Sequence, residues 1–232
     1  LINPEARYHY CSEILRKSFY DGSRWNMDEC DSHTIFVSQG YYPIKGLHYM
    51  LEALGDIRKF YPDARLRVAG GVSLNNAGLK NRLKQKNYQR YLAELIEKYS
   101  LAGCVEFLPP LKADEMKKMY LKSNVFVSPS SIENSPNSLG EAMMLGVPCV
   151  SSLVGGVGNM LINGAEGFTY QHDAPYMLAY YVMEIFRLQK ENRQQLADMT
   201  DMAHSHAMSL FDSEKNAANM LEIYSGIERI KR

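Results

Sequence analysis

Residues 125–156 read VFVSPSSIENSPNSLGEAMMLGVPCVSSLVGG, and this stretch decides the fold. Val125-Phe126-Val127 is short, apolar and free of polar alternation, the pattern of a strand covered on both faces. It runs into a loop of Ser, Asn and Pro, after which Ser138 to Leu145 reads as a helix and Pro148 to Ser151 as the next strand. Asn137 is a suitable N-cap for that helix, and Pro136 keeps the backbone before it extended. The unpaired N–H groups of a first helical turn, together with the helix dipole, make an anion site.

The same alternation extends outward. Thr34 to Ser38, Leu66 to Ala69 and Cys104 to Leu108 are strand-like, and Asn124 to Ser128 completes the strand already met. Gly46 to Phe60, Tyr88 to Tyr99 and Ala113 to Leu121 are helical; Leu47, Met50, Leu51, Leu54 and Ile57 form an apolar stripe at helical spacing. Strand and helix in alternation predict an α/β fold, a Rossmann-like parallel sheet with helices on both faces. Ligands of such sheets bind beyond the carboxyl ends of the strands. After Tyr170 no strand is expected, and Ala174 to Arg232 reads as two or three helices, giving a helical C-terminal tail. The first of them, from Tyr176 to Phe186, is apolar on nearly every side and is expected to be buried between sheet and tail.

Composition removes several classes. Lys plus Arg and Asp plus Glu are each 26, so the formal net charge is zero and nucleic acid is not an expected partner. Apolar residues make up 46% of the 232, enough for a full core without staples. The four cysteines, at 11, 30, 104 and 149, show no metal-like spacing and read as reduced thiols, so no metal centre is expected. No run approaches the roughly 18 apolar residues of a spanning helix, and no signal peptide opens the chain, so the expected location is cytoplasmic. A stretch without acids from Ala77 to Ala93 carries Lys80, Arg82, Lys84, Lys86 and Arg90. It reads first as a solvated basic face, with peripheral contact to an anionic membrane surface as the sharper alternative. His204 and His206 fall in a helical segment, point in different directions and make a poor metal pair. The chain opens on Leu1 and is expected to be part of a longer protein.

Two carboxylates flank the anion site. Glu141 reads as a first-turn residue, and Glu133 lies eight residues earlier at the strand end. A carboxylate repels a bare phosphate but accepts hydrogen bonds from neighbouring hydroxyls. A ligand with phosphate in its middle and hydroxyls at both ends, a nucleotide sugar, suits that arrangement. A lone Glu141 favoured by the helix dipole is the plainer account. Lys45-Gly46, in the loop after the first strand, adds an ammonium in the same crevice that could neutralise a diphosphate.

These residues resemble a family. Glu133 to Glu141, followed by Ala142-Met143-Met144-Leu145-Gly146-Val147-Pro148, is similar to the E-x7-E signature of retaining glycosyltransferases of the GT-B fold, specifically glycosyltransferase family 4 (group 1). The likeness runs from about Thr34 to Tyr170 and includes Lys45-Gly46 and the Gly155-Gly156 turn. It covers only the C-terminal, donor-binding half of such a fold. The resemblance implies that Lys45 grips the donor diphosphate, Glu141 binds the ribose and Glu133 contacts the transferred sugar. Lys45 and Glu133 are the implied catalytic residues. Backbone amides around Asn137, Ser138 and Leu139 are implied for phosphate, with Gly46 beside Lys45, and the base is implied near Leu108, Pro109 and Leu111. The donor is implied to be a UDP-, GDP- or ADP-sugar, with no obligatory metal. The acceptor is implied to be a glycan or lipid-linked glycan held by an N-terminal acceptor domain.

Three positions depart from the family pattern. Gln39-Gly40-Tyr41-Tyr42 stands where members carry an Arg, Asn134-Ser135 follows the first Glu, and Gly158-Asn159 follows the Gly-Gly turn. The expected division is a lead-in over 1–31, a nucleotide-sugar-binding domain over 32–211 and a C-terminal helix over 212–232. On this reading the stretch binds nucleotide but transfers sugar poorly alone. The alternative is a non-catalytic nucleotide-binding or interaction module that keeps the half-fold. A dinucleotide oxidoreductase is disfavoured, because Gly155-Gly156-Val157-Gly158 lacks the last glycine of G-x-G-x-x-G. A sugar-nucleotide epimerase of the same fold is a further alternative.

Overall fold

The computed structural model describes residues 3–4, 6–71 and 87–230, with the side chains of 228–230 left aside. Lys80, Arg82, Lys84 and Lys86 of the basic stretch lie outside the described residues.

Among the described residues six parallel strands form one sheet: β1 (Thr34–Val37), β2 (Arg65–Val68), β3 (Val105–Phe107), β4 (Val125–Ser128), β5 (Cys149–Ser152) and β6 (Phe168–Tyr170). Their order is β3-β2-β1-β4-β5-β6. The chain therefore moves outward from β1 in one direction, then returns to β1 and moves outward in the other. The reversal falls between β1 and β4, where Ile35 faces Val125 and Phe36 faces Phe126. Loops leaving those two strands diverge to opposite faces and open a crevice at their carboxyl ends. Strands β1, β4 and β5 are buried along their whole length; β1 and β4 accordingly read as largely apolar runs, while β5 also buries Ser151 and Ser152.

The helices are α1 (Leu47–Ile57), α2 (Asn87–Lys98), α3 (Ala113–Leu121), α4 (Asn137–Met144), α5 (Pro175–Glu191), α6 (Arg193–Leu210) and α7 (Ser213–Ile230). α1 packs against α2 and α5, while α4 packs against α6. Phe36, Tyr120 and Phe126 meet in the centre, with ring centroids 5.0 Å apart for Phe36–Tyr120 and 5.1 Å for Tyr120–Phe126. Pro175 takes the first turn of α5, a place where its missing N–H costs nothing.

Three expectations need correction. β6 was not foreseen: it has only three residues and sits just after Gly164 and Gly167, so no periodic signal marks it. α5 is not buried all round. Leu178, Val182, Ile185 and Phe186 face the core, but Tyr176 and Tyr180 are exposed, their rings giving the sequence an apolar look on a solvated side. The helix cap also differs: Pro136 is the N-cap of α4, Asn137 is its first residue and makes no cap, and Glu141 falls in the second turn. Proline's fixed φ lets its carbonyl receive the N–H groups of Leu139 (2.9 Å) and Gly140 (3.3 Å) directly.

Residues before β1 are part of the packed domain. Leu15, Phe19 and Trp25 are buried, a 3-10 turn covers Lys17–Tyr20, and Trp25 donates its indole N–H to the Ser123 carbonyl at 2.8 Å. Tyr20 donates its hydroxyl to Phe211 O at 2.8 Å, which ties this segment to the end of α6. The four cysteines are unpaired, as expected from their spacing.

The loop Pro129–Asn134, which leaves β4, is clamped by two glycines. Gly46 has φ +70° and a Cβ there would stand 1.8 Å from Pro129 O; Gly155 has φ +53° and a Cβ there would stand 1.8 Å from Glu133 O. Both positions exclude any side chain. Ser131 N–H donates to Ile44 O at 2.8 Å, and Gly156 N–H donates to Asn134 O at 2.7 Å, so each glycine sits beside a bond that fixes the loop. Gly103 has φ +81° with open space around it. We expect Gly46→Ala to lower the urea midpoint more than Gly103→Ala, which carries only the left-handed backbone cost of about 1–2 kcal/mol. Equal midpoints for the two variants would mean that Pro129 moves away freely and the clamp holds nothing.

Candidate functional site

A cleft of about 490 Å³ opens at the carboxyl ends of β1 and β4, where the strand order reverses. Its floor and walls come from Ser38 and Gln39 after β1, Lys45 before α1, Glu133 in the clamped loop, and Asn137, Ser138 and Glu141 of α4. Pro110 and Leu111, after β3, and Ile14 to Arg16 close the sides.

Lys45 ends the 3-10 turn Pro43–Lys45, whose left-handed Gly46 cap turns the chain into α1. That placement aims its side chain at the clamped loop, and Nζ donates to Glu133 Oε1 at 2.6 Å. Ser130 Oγ donates to the same oxygen at 2.7 Å. Glu133 is thus oriented from both sides, and its side chain retains 14% exposure toward the cleft.

Glu141 is more deeply set, with 5% of its side chain exposed. A carboxylate at such depth needs a charged or hydrogen-bonding partner. It receives two parallel bonds from Arg16, Nε to Oε1 and NH2 to Oε2, each 2.6 Å. The Tyr120 hydroxyl donates to Ser138 O at 3.0 Å and lies 3.5 Å from Glu141 Oε2. Burial first, and the Glu141 charge after it, push the Tyr120 phenol well above its usual range, so it remains a donor. The amides of Asn137 and Ser138, in the first turn of α4, have no acceptor within the helix and border the cleft.

Lys45, Glu133, Asn137, Ser138, Glu141 and Leu111 therefore line one cleft. Other expected residues do not. Gly46 lies behind the site, where its missing side chain admits Pro129. Leu139 is fully buried, and its N–H is engaged by Pro136 O. Leu108 keeps its N–H on Val68 O and its carbonyl on Gly71 N–H, so both its backbone groups belong to the sheet edge. The wall is formed beyond it and Pro109, by Pro110 and Leu111. His204 and His206 point elsewhere, to Met144 O (2.6 Å) and Glu166 Oε2 (2.9 Å).

Arg16, Tyr120 and Ser130 were not foreseen. Tyr120 reads as one more apolar position of α3, and Ser130 as loop. Arg16 lies in a segment without periodicity, and its approach to Glu141 spans 125 residues, which no local pattern reveals. Among the described lining residues the charged side chains are two cations, Arg16 and Lys45, and two carboxylates, Glu133 and Glu141, each cation bonded to one carboxylate.

The fold has close solved counterparts. Sucrose-phosphate synthase from Thermosynechococcus elongatus aligns with a TM-score of 0.76 at 20% identity, over 95% of this chain and 52% of that one. The Anabaena HepE protein, solved in complex with UDP and glucose, aligns with a TM-score of 0.68 at 21% identity, over 84% of this chain and 48% of that one. The fold is therefore the one found in about half of each of these chains, a single Rossmann-like unit of a GT-B architecture. In sequence, the D-inositol 3-phosphate glycosyltransferase of Corynebacterium urealyticum is 27% identical over 186 residues, covering 79% of this chain and 41% of the relative. The chain spans less than half the length of the curated relatives it matches first, between 41% and 46% of each. The family model described as glycosyl transferases group 1 matches residues 25–200, three quarters of the chain, and this protein belongs to that family.

Proposed function

We propose that the cleft binds a nucleoside-diphosphate sugar and that this chain is the donor-binding part of a retaining glycosyltransferase of family 4. The observation that carries the reading is the convergence of two cation–carboxylate pairs and a helix N-terminus in one cleft at the strand-order reversal. A donor of this class offers hydroxyls to the carboxylates and phosphate oxygens to Lys45 and the α4 amides. Glu141 accepts from the ribose hydroxyls, Glu133 accepts from hydroxyls of the sugar, and Pro110 and Leu111 lie against the base. The likeness to HepE, solved with UDP and glucose, is in keeping with a uridine donor.

In the reaction, the bond between the anomeric carbon and the diphosphate oxygen breaks, and the diphosphate leaves with the electron pair. The acceptor hydroxyl oxygen bonds the anomeric carbon on the face from which the diphosphate departs, and its proton passes to the departing phosphate oxygen. Lys45 and the first-turn amides of α4 stabilise the charge that develops on the leaving group, the part of the barrier a fixed positive environment lowers most. Glu133, held by Ser130 and Lys45, orients the sugar. On this reading residues 32–211 are the donor unit, 1–31 lead in from an acceptor domain and pack onto that unit through Leu15, Phe19 and Trp25, and 212–232 form the terminal helix. The acceptor is a glycan or a lipid-linked glycan, reached at the inner face of a membrane. No helix among the described residues is long and apolar enough to cross one.

Calorimetric titration with UDP, GDP and ADP tests the donor site. One nucleoside diphosphate is expected to bind best, and Lys45→Ala to weaken it by about 1.5–3 kcal/mol, the range for a hydrogen bond to a charged group. Absence of binding by all three to the unsubstituted chain would overturn the reading. A second experiment separates Glu133. Glu133→Gln is expected to weaken the sugar nucleotide several-fold while leaving the bare nucleoside diphosphate within twofold. Equal losses for both ligands would remove Glu133 from the sugar subsite.

A further inference from the structure

We propose that Arg16 is a diphosphate ligand of the donor site, released from Glu141 when the ribose hydroxyls take over that carboxylate. This rests on the donor-binding reading above and adds a residue to it from outside the β–α core.

Charge arithmetic in the cleft comes first. Lys45 and Arg16 are the cations among the described lining residues, and besides Lys45 the segment between β1 and α1 contributes only the uncharged Ser38 and Gln39. A diphosphate carries at least two negative charges. Glu133 and Glu141 offset the two cations in their present pairs, so if Arg16 stayed on Glu141 the ligand would meet only Lys45, itself shared with Glu133, and a helix dipole of about half a charge. Arg16 is the second cation that can turn to the ligand once hydroxyls take its place on Glu141, and its planar fork fits phosphate oxygens in the same two-point manner in which it now holds Glu141.

Depth comes second. The carboxylates lie beneath and the cations above: side-chain exposure is 5% for Glu141 against 41% for Arg16, and 14% for Glu133 against 24% for Lys45. The cation of each pair is thus the partner that faces an incoming ligand. Exchange is balanced only for a molecule that presents hydroxyls and phosphates together. Bare phosphate leaves buried Glu141 and half-buried Glu133 without their cations, and a bare nucleoside leaves a guanidinium without its anion.

Anchoring comes third. The backbone on either side of Arg16 is fixed, with Leu15 and Phe19 buried and the Leu15 N–H bonded to Tyr20 Oη at 3.0 Å. The long side chain therefore moves from a stationary base. Glu13 Oε2 accepts from Asn137 Nδ2 at 2.6 Å, a second bond from this segment to the start of α4.

The test titrates the unsubstituted chain, Arg16→Gln and Arg16→Lys with three probes: the best-binding nucleoside diphosphate, its nucleoside and inorganic pyrophosphate. Arg16→Gln is expected to weaken the nucleoside diphosphate at least tenfold, about 1.4 kcal/mol, and to leave the nucleoside equal or tighter. Its affinity for the nucleoside diphosphate is also expected to fall less steeply with added salt. Arg16→Lys keeps a cation beside the buried carboxylate and is expected to lose only a few-fold on the diphosphate, which separates ligand loss from misfolding. Equal weakening of nucleoside and nucleoside diphosphate by Arg16→Gln would make Arg16 a structural holder of Glu141. Tightening of both would make it a mere competitor for the carboxylate. Either result overturns the proposal while the donor site stands. No binding of any probe to the unsubstituted chain overturns the donor site itself.

Discussion

The parallel pairing of β1 with β4 is the constraint on which the rest of the molecule depends. β1 also pairs with β2, so it sits in the middle of the sheet and both crossover series start from it. Because every strand is parallel, all strand exits lie on one edge, and the helices must return over the faces. Reversal at β1 and β4 sends their following segments to opposite sides and leaves a gap that no side chain of the sheet can fill. Lys45 enters that gap from one side, and Glu133 and α4 enter from the other. A strand inserted between β1 and β4 would keep every helix and abolish the site.

The gap must then be held open with defined walls. The Pro129–Asn134 loop has no regular structure of its own, yet it carries Glu133 to within 2.6 Å of Lys45. Backbone-to-backbone packing achieves this: Gly46 and Gly155 allow Pro129 and Glu133 carbonyls to approach at distances that a Cβ forbids. Tyr120 supports the other wall. Its buried ring fills the centre between Phe36 and Phe126, while its hydroxyl reaches Ser138 at the start of α4. The apolar core and the polar cleft are thus joined through single residues.

Much of this architecture is legible in the sequence. β1 and β4 are short, largely apolar runs bounded by turn residues, β2 alternates polar and apolar positions, and α1 carries an apolar stripe of its own, so the alternation of elements and the sheet class follow. Lys45, Glu133 and Glu141 are also legible, because each lies at a strand exit or helix start where the topology directs it inward. Misreadings arise where tertiary geometry overrides local preference. Asn137 has the chemistry of a cap, but the fixed φ of Pro136 starts the helix one residue sooner and moves Glu141 into its second turn. Leu108 is still committed to the sheet, so the wall shifts to Pro110 and Leu111. Arg16 is illegible for a different reason: its partner is set by the docking of a non-periodic segment through Leu15, Phe19 and Trp25, and nothing local in that segment points to Glu141.

The pairing of cations with carboxylates also bears on which ligands such a cleft accepts. A pocket with two unpaired cations would attract every small anion in solution. Here each cation already has a carboxylate at 2.6 Å, so a simple anion must break an ion pair and leave a buried negative charge behind. That penalty is largest at Glu141, the more buried of the two. A ligand with hydroxyls at the right separation removes the penalty by donating to the carboxylate as the cation departs. Discrimination thus comes from the cost imposed on incomplete ligands as much as from contacts offered to the complete one. On the donor-site reading the two glutamates are then not adjuncts to a phosphate site: each sets a cost that a ligand bearing hydroxyls relieves, and the larger of the two costs is the one at Glu141.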